Sequence, residues 1–184
     1  MSIKGLEQAI ANLNSISEKA VPRASAQSVN RIAGQAVNRS VSVVSKSTRV
    51  PRKLVKQRAR IRRATVGKPR ALIRVNRGNL PAIKLGTASV RLSRRKRDKS
   101  GASSVLRIGP FRFPGAFIQQ LANGRWHVLR RTTHNRYPIE VVSIPLAVPL
   151  TEAFRSELPR LMDERMPEVM RQNLQNQLRL ILSR

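Results

Sequence analysis

Cysteine is absent from this chain of 184 residues, acidic residues number 9 against 37 Lys plus Arg, and aromatic residues make up only 3%. The first absence excludes a disulfide framework and a thiolate metal site, and nothing demands an oxidising compartment. The scarcity of aromatics leaves Leu, Ile, Val and Ala to build a modest core, and excludes a base-stacking platform for single-stranded nucleic acid. Long apolar runs are missing too. The most apolar stretch, residues 144–150, is broken by Pro145 and Pro149, where a bilayer span needs about 20 apolar residues. The opening MSIKGLEQAIANLN carries no apolar signal-peptide core, so no membrane partner and no export by that route are expected.

Catalytic constellations are equally sparse. His127 and His134 have no nearby Cys, Asp or Glu to complete a metal set. Neither a G-x-S-x-G elbow nor a G-x-x-x-x-G-K phosphate loop occurs. Glu152 and Glu157 are five residues apart and do not share a helix face. The expectation is no enzyme, no catalytic residue, no metal and no cofactor.

What the chain has is positive charge. Formal net charge is +28, and 28 of the 37 cations are arginine. No acid falls between Lys19 and Arg97, an interval holding 23 of those cations, whereas five of the nine acids lie in the last 35 residues. Solubility alone needs a net charge of only about 2 to 8 in a small domain. An acid-free, arginine-rich interval therefore points to phosphate, since the planar guanidinium pairs bidentately with oxyanions. No zinc-finger spacing accompanies it, so contact with nucleic acid would be backbone-directed and salt-dependent. The alternative, a solvated charged face, stays open.

Apolar spacing of three and four predicts two N-terminal helices, Ile3, Leu6, Ile10 and Leu13 marking one and Val29, Ile32, Ala36, Val37 and Val41 the other, with a break near Val21-Pro22. A third helix starting at Pro51 would set Arg52, Lys56, Arg60 and Arg63 on one face. Period-two alternation then predicts strands at 71–75, 82–85, 89–93, 104–109 and 139–144. A hairpin spans 116–131, turning at Asn123-Gly124 in type I′ geometry. The cationic run Arg94, Arg95, Lys96, Arg97 and Lys99 would be an exposed strand-to-strand tip. From Leu150 a long helix follows, capped by Thr151 and kinked or broken at Pro159 and Pro167. Its apolar residues recur every four positions. Phe154, Leu158, Met162, Met170, Leu174 and Leu178 are the candidate subunit contacts, and Trp126 and Phe117 are core or contact residues. The whole is one α+β domain over 1–184: helical to 63, mostly antiparallel sheet over 64–145, helical over 150–184.

The segments KGLEQAIANLNSIS, PRKLVKQRARIRRATV, IRVNRGNLPAIKLG, PGAFIQQLANGRWHVLRR and NRYPIEVVSIPLAVPLTEAF together resemble the minor tail protein Z family, the tail completion proteins of lambda-like long-tailed phages. The likeness runs along essentially the whole chain. It implies a structural virion subunit acting late in tail assembly, at the head-proximal end, supporting head-tail joining and positioning the genome end. The implied partners are further copies in a homo-oligomeric ring, tail-terminator, tail-tube or neck proteins, and viral DNA held by its backbone. Arg52, Lys56, Arg60, Arg63, Arg94, Arg95, Lys96, Arg97 and Lys99 are the candidate polyanion contacts. Two alternatives stand beside this: a free, non-sequence-specific nucleic-acid-binding protein, and an assembly chaperone whose cations pair with an acidic protein.

Overall fold

A computed structural model of the protein describes residues 3–91, 105–133 and 138–182. Mixed α+β architecture is observed, with long helices at both ends and antiparallel sheets between them. Among the described residues no helix is long and apolar enough to cross a membrane. Two compact units share the chain: Met1–Val43, Ala59–Asn76 and Leu150–Arg184 form the first, Val44–Arg58 and Arg77–Pro149 the second.

In the first unit, helix α1 (Ile3–Ser15) passes through a π-helical turn, Ile16–Ala20, into α2 (Val21–Thr48). The expected break at Val21-Pro22 is therefore a widened turn: the Val21 N–H donates to the Ile16 carbonyl, five residues back. The wide turn ends at Ala20, two residues before Pro22, whose ring would otherwise crowd the carbonyl four residues upstream. The stripe of α1 is not core: Leu6, Ile10 and Leu13 are 66%, 50% and 65% exposed. From the wide turn along α2 a buried row runs through Ala20, Ala24, Ser28, Ile32, Ala36 and Ser40, mostly small residues every four positions.

Helix α4 (Ala147–Leu182) packs its side chains against α2, antiparallel to it. Gln177 Nε2 donates to Gln27 at 3.5 Å, Asn173 Nδ2 to Ser28 at 2.9 Å, and Arg39 meets Glu157 at 4.0 Å. Ile32, Ala36, Leu161 and Val169 form the core of this contact, flanked by Ile73, Leu158 and Met166; burying one such Leu or Ile stabilises by about 1.5–3 kcal/mol. Pro159 and Pro167 lie inside a continuous helix of 36 residues, so neither the break nor the cap at Thr151 is found. Both prolines and the residues four before them, Arg155 and Asp163, are exposed, and water can take the carbonyls the prolines leave unpaired. Strands β1 (Ala59–Arg62) and β2 (Leu72–Val75) complete the unit as a two-stranded antiparallel ribbon.

The second unit holds the short helix α3 (Arg52–Lys56) and strands β3 (Leu80–Pro81), β4 (Ala88–Arg91), β5 (Val105–Ile108), β6 (Phe111–Pro114), β7 (Ala116–Gln120), β8 (Trp126–Arg131), β9 (Ile139–Val141) and β10 (Ser143–Ile144). Two three-stranded sheets, β4-β5-β6 and β7-β8-β9, share one core of Ala82, Leu106, Ile108, Ala116 and Val128. The strand expected at 82–85 is a 3₁₀ turn, Ala82–Leu85; the Ala82 N–H donates to the carbonyl of Val142, and Gly86 ends the turn at φ 141. The last strand divides at Val142 because β9 pairs with β8 while β10 pairs with β3. The β7-β8 turn is not type I′: among the described residues Gly124 has φ 73 but Asn123 is not left-handed. Leu121 accepts from Gly124 and donates to Arg125, a type I turn closed by a glycine bulge.

Candidate nucleic-acid interface

The predicted helical row of arginines does not form. Helix α3 ends at Lys56, and the next residues enter β1, so Arg52 and Lys56 sit on a short helix and Arg60 on a strand, with Arg63 just beyond it. Lys56, Arg60 and Arg63 are exposed; Arg52 is exposed and makes an interaction of its own. Tertiary pairing overrides the helical period here: Ile61 stands opposite Ile73, and Ile73 packs against the α2-α4 core. An α-helix through Arg63 would lose that burial. Arg94, Arg95, Lys96, Arg97 and Lys99 belong to the connection between the paired strands β4 and β5 and lie outside the described residues.

The ribbon alternates strictly. Ala59, Ile61, Ile73 and Val75 are half-buried, while Arg60, Arg62, Leu72 and Arg74 are exposed. Arg60 stands directly opposite Arg74, and Arg62 opposite Leu72. A one-residue slip of β1 would drive Arg60 and Arg62 onto the inner face, and a slip of β2 would do the same to Arg74, so burial fixes their outward aim. The connecting loop is fastened to α2 by Asn30, whose Nδ2 donates to the Ala64 carbonyl at 2.9 Å and whose Oδ1 accepts from the Ala64 N–H at 2.7 Å. Thr65 and Lys68 exchange two backbone hydrogen bonds at its tip. Arg63, Lys68 and Arg70 are exposed along the same loop.

A second arginine pair, Arg107 and Arg112, stands across β5 and β6 on exposed positions. Other arginines are engaged. Arg58 donates to the carbonyls of Gly78 and Asn79, both at 3.1 Å. Arg131 lies 5.8 Å over the ring of Phe117, and Arg130 faces Glu140 across β8 and β9. Sequence reasoning passed over Arg62, Arg74, Arg107 and Arg112; the signal was the alternation in ARIR and LIRV, which marks which arginines share a face.

The candidate subunit contacts divide. Phe154, Leu158 and Met162 of α4, with Ile32 and Ala33 of α2 and Ile73 of β2, line an apolar groove of about 670 Å³ in the first unit. Met162 is 42% exposed. Met170, Leu174 and Leu178 are half-buried, and the Met170 Sδ lies 3.6 Å from the Ser28 hydroxyl. Trp126 is 56% exposed, so it is not core. His127 keeps a buried Nδ1 with no protein partner among the described residues. Among those residues no cluster of three metal-ligating side chains occurs.

The profile of the family described as prophage minor tail protein Z (GPZ) matches residues 3–184. The chain is 80% identical, over 184 residues covering all of both proteins, to the tail completion protein of Escherichia phage N15. It is 55% identical, over 192 residues and again all of both, to tail completion protein Z of Escherichia phage lambda. No solved structure matches. A match of this extent and identity along the whole chain leaves one conclusion: the chain belongs to the prophage minor tail protein Z family.

Proposed function

We propose that the protein is a structural tail completion subunit that acts late in phage tail assembly, at the head-proximal end of the tail. There it supports joining of the tail to the head and positions the end of the genome. The observation that carries this reading is the match along the whole chain to two proteins named for tail completion. A virion location, with assembly in the host cytoplasm, follows from the same role.

Copies of the chain close into a ring. Three apolar side chains of α1, Leu6, Ile10 and Leu13, are at least half exposed, and Met162 opens the α4 groove to solvent; a second copy covers such surfaces in a heterologous, closing interface. Tail-terminator, tail-tube or neck proteins are the further partners. The basic interval faces DNA, whose duplex carries about one charge per 1.7 Å of axis. Its phosphate contacts are drawn from Arg52, Lys56, Arg60, Arg63, Arg94, Arg95, Lys96, Arg97 and Lys99.

The test is complementation. Tails assembled without this chain should fail to yield infectious particles with filled heads, and the purified chain should restore them and remain in the virion. Full restoration with no copies retained would contradict a structural role, and would favour an assembly chaperone. Normal infectivity without the chain, alongside retention of cellular nucleic acid by it, would favour a free nucleic-acid-binding protein.

A further inference from the structure

We propose that the exposed face of the β1-β2 ribbon, formed by Arg60, Arg62 and Arg74, is the element of this chain that grips a nucleic-acid phosphodiester backbone. This deepens the DNA contact proposed above and rests on it.

Three observations meet at this face. The first is its charge arrangement. Arg60 and Arg74 are direct cross-strand neighbours, and like charges placed opposite one another destabilise an antiparallel pair. Among the described residues no carboxylate pairs with any of the three arginines, and the sequence supplies none between Lys19 and Arg97. An unrelieved cluster of this kind is relieved by a bound polyanion.

The second is presentation. Ile73 anchors the inner face in the α2-α4 core, and Asn30 holds Ala64 by both its backbone polar groups. The guanidinium groups therefore stand on a braced ribbon, and less ordering entropy is lost on binding than from a free arm. Arg60 and Arg62 are two residues apart on one strand, about 6.8 Å, with Arg74 alongside.

The third is chemistry. The face consists of Arg60, Arg62, Arg74 and Leu72. Its guanidinium groups pair bidentately with phosphate oxygens, and it carries no Asn, Gln or acid to read adenine or cytosine edges beside them. Exposed Arg63, Lys68 and Arg70 extend the positive field from the loop. The Arg107-Arg112 pair offers two arginines, with Ser89 as the neighbour of Arg107 on β4, and serves as the comparison.

Binding of the full chain to a 30-base-pair mixed-sequence DNA duplex, its RNA counterpart and polyglutamate, across a salt series, tests the assignment. R60Q/R62Q/R74Q should make the slope of log K against log salt shallower by about 2.7 for DNA, at about 0.9 per phosphate contact. It should also weaken RNA binding. R60K/R62K/R74K should keep most of the slope, and R107Q/R112Q should leave it unchanged. The glutamine variant should melt no earlier than wild type, because it removes like-charge repulsion. If it misfolds, a photo-crosslinker on Leu72→Cys decides, since the chain has no other cysteine: it should capture duplex, and the same probe on Val148→Cys should not.

Wild-type binding with an unchanged slope in the glutamine variant would overturn the ribbon assignment and leave the DNA contact standing. So would a slope lost only in R107Q/R112Q, or duplex captured equally from both cysteine positions. A wild-type chain that retains polyglutamate but neither duplex would overturn the DNA contact itself.

Discussion

Asn30 holds Ala64 by both of its backbone polar groups, at 2.9 Å through Nδ2 and at 2.7 Å through Oδ1. One carboxamide on a helix thus fixes where the arginine ribbon leaves the core. Ala64 is buried, so Asn30→Ala would strand an N–H and a carbonyl away from water. The expected loss is about 1–3 kcal/mol, measured by denaturant unfolding. Weakened duplex binding should accompany it while Arg60, Arg62 and Arg74 remain in place.

The ends of the chain and the alternating strands β2, β4 and β5 were legible from periodicity. Where two local codes competed, the sequence was ambiguous. PRKLVKQRARIRR supports a helical face of cations, and only the pairing of Ile61 with Ile73 makes its second half a strand. The prolines of α4 signalled a break, but their exposed positions let the helix continue. Arg62 and Arg74 entered the candidate site only once the register was known, because cross-strand neighbours are distant in sequence. The stripe of α1 was legible as helix yet silent on its exposure.

Backbone geometry sets a pair of opposite expectations. Arg49 lies just past α2 at φ 58, a left-handed position that glycine takes without steric cost. Arg49→Gly should therefore stabilise by about 1 kcal/mol. Gly86, at φ 141 and ψ −163, occupies a region open essentially to glycine alone. Nothing lies within 4 Å of a Cβ built there, so Gly86→Ala should cost about 1–3 kcal/mol from the backbone only. Thermal melts of both variants check the signs.

Arg160 Nε donates to Glu164 at 2.8 Å on the exposed side of α4. This hydrogen bond, and the guanidinium charge with it, holds the Glu164 carboxyl below the usual glutamate range. A depressed folded pKa contributes stability that is present above the unfolded value, about 4.3, and is lost as pH falls through the lower folded one. Carbon-detected NMR titration should place the Glu164 midpoint below that of a free glutamate, and Arg160→Gln should move it upward.

Met162 lines the apolar groove yet is 42% exposed, so Met162→Lys should change monomer stability by no more than about 0.5 kcal/mol. If the groove is covered by a second copy, the variant should sediment as a smaller species than wild type and fail in complementation. Unchanged sedimentation and activity would remove this groove from the subunit interface.

We propose above that this member of the minor tail protein Z family is a head-proximal structural subunit whose β1-β2 ribbon meets the genome. A localised cryo-EM reconstruction of the head-tail junction in infectious virions tests it most directly. The expected result is a closed ring of copies at the head-proximal end of the tail, with Arg60, Arg62 and Arg74 of each copy facing the DNA density. Copies located elsewhere in the tail, or a ring whose ribbons face away from DNA, would contradict the account.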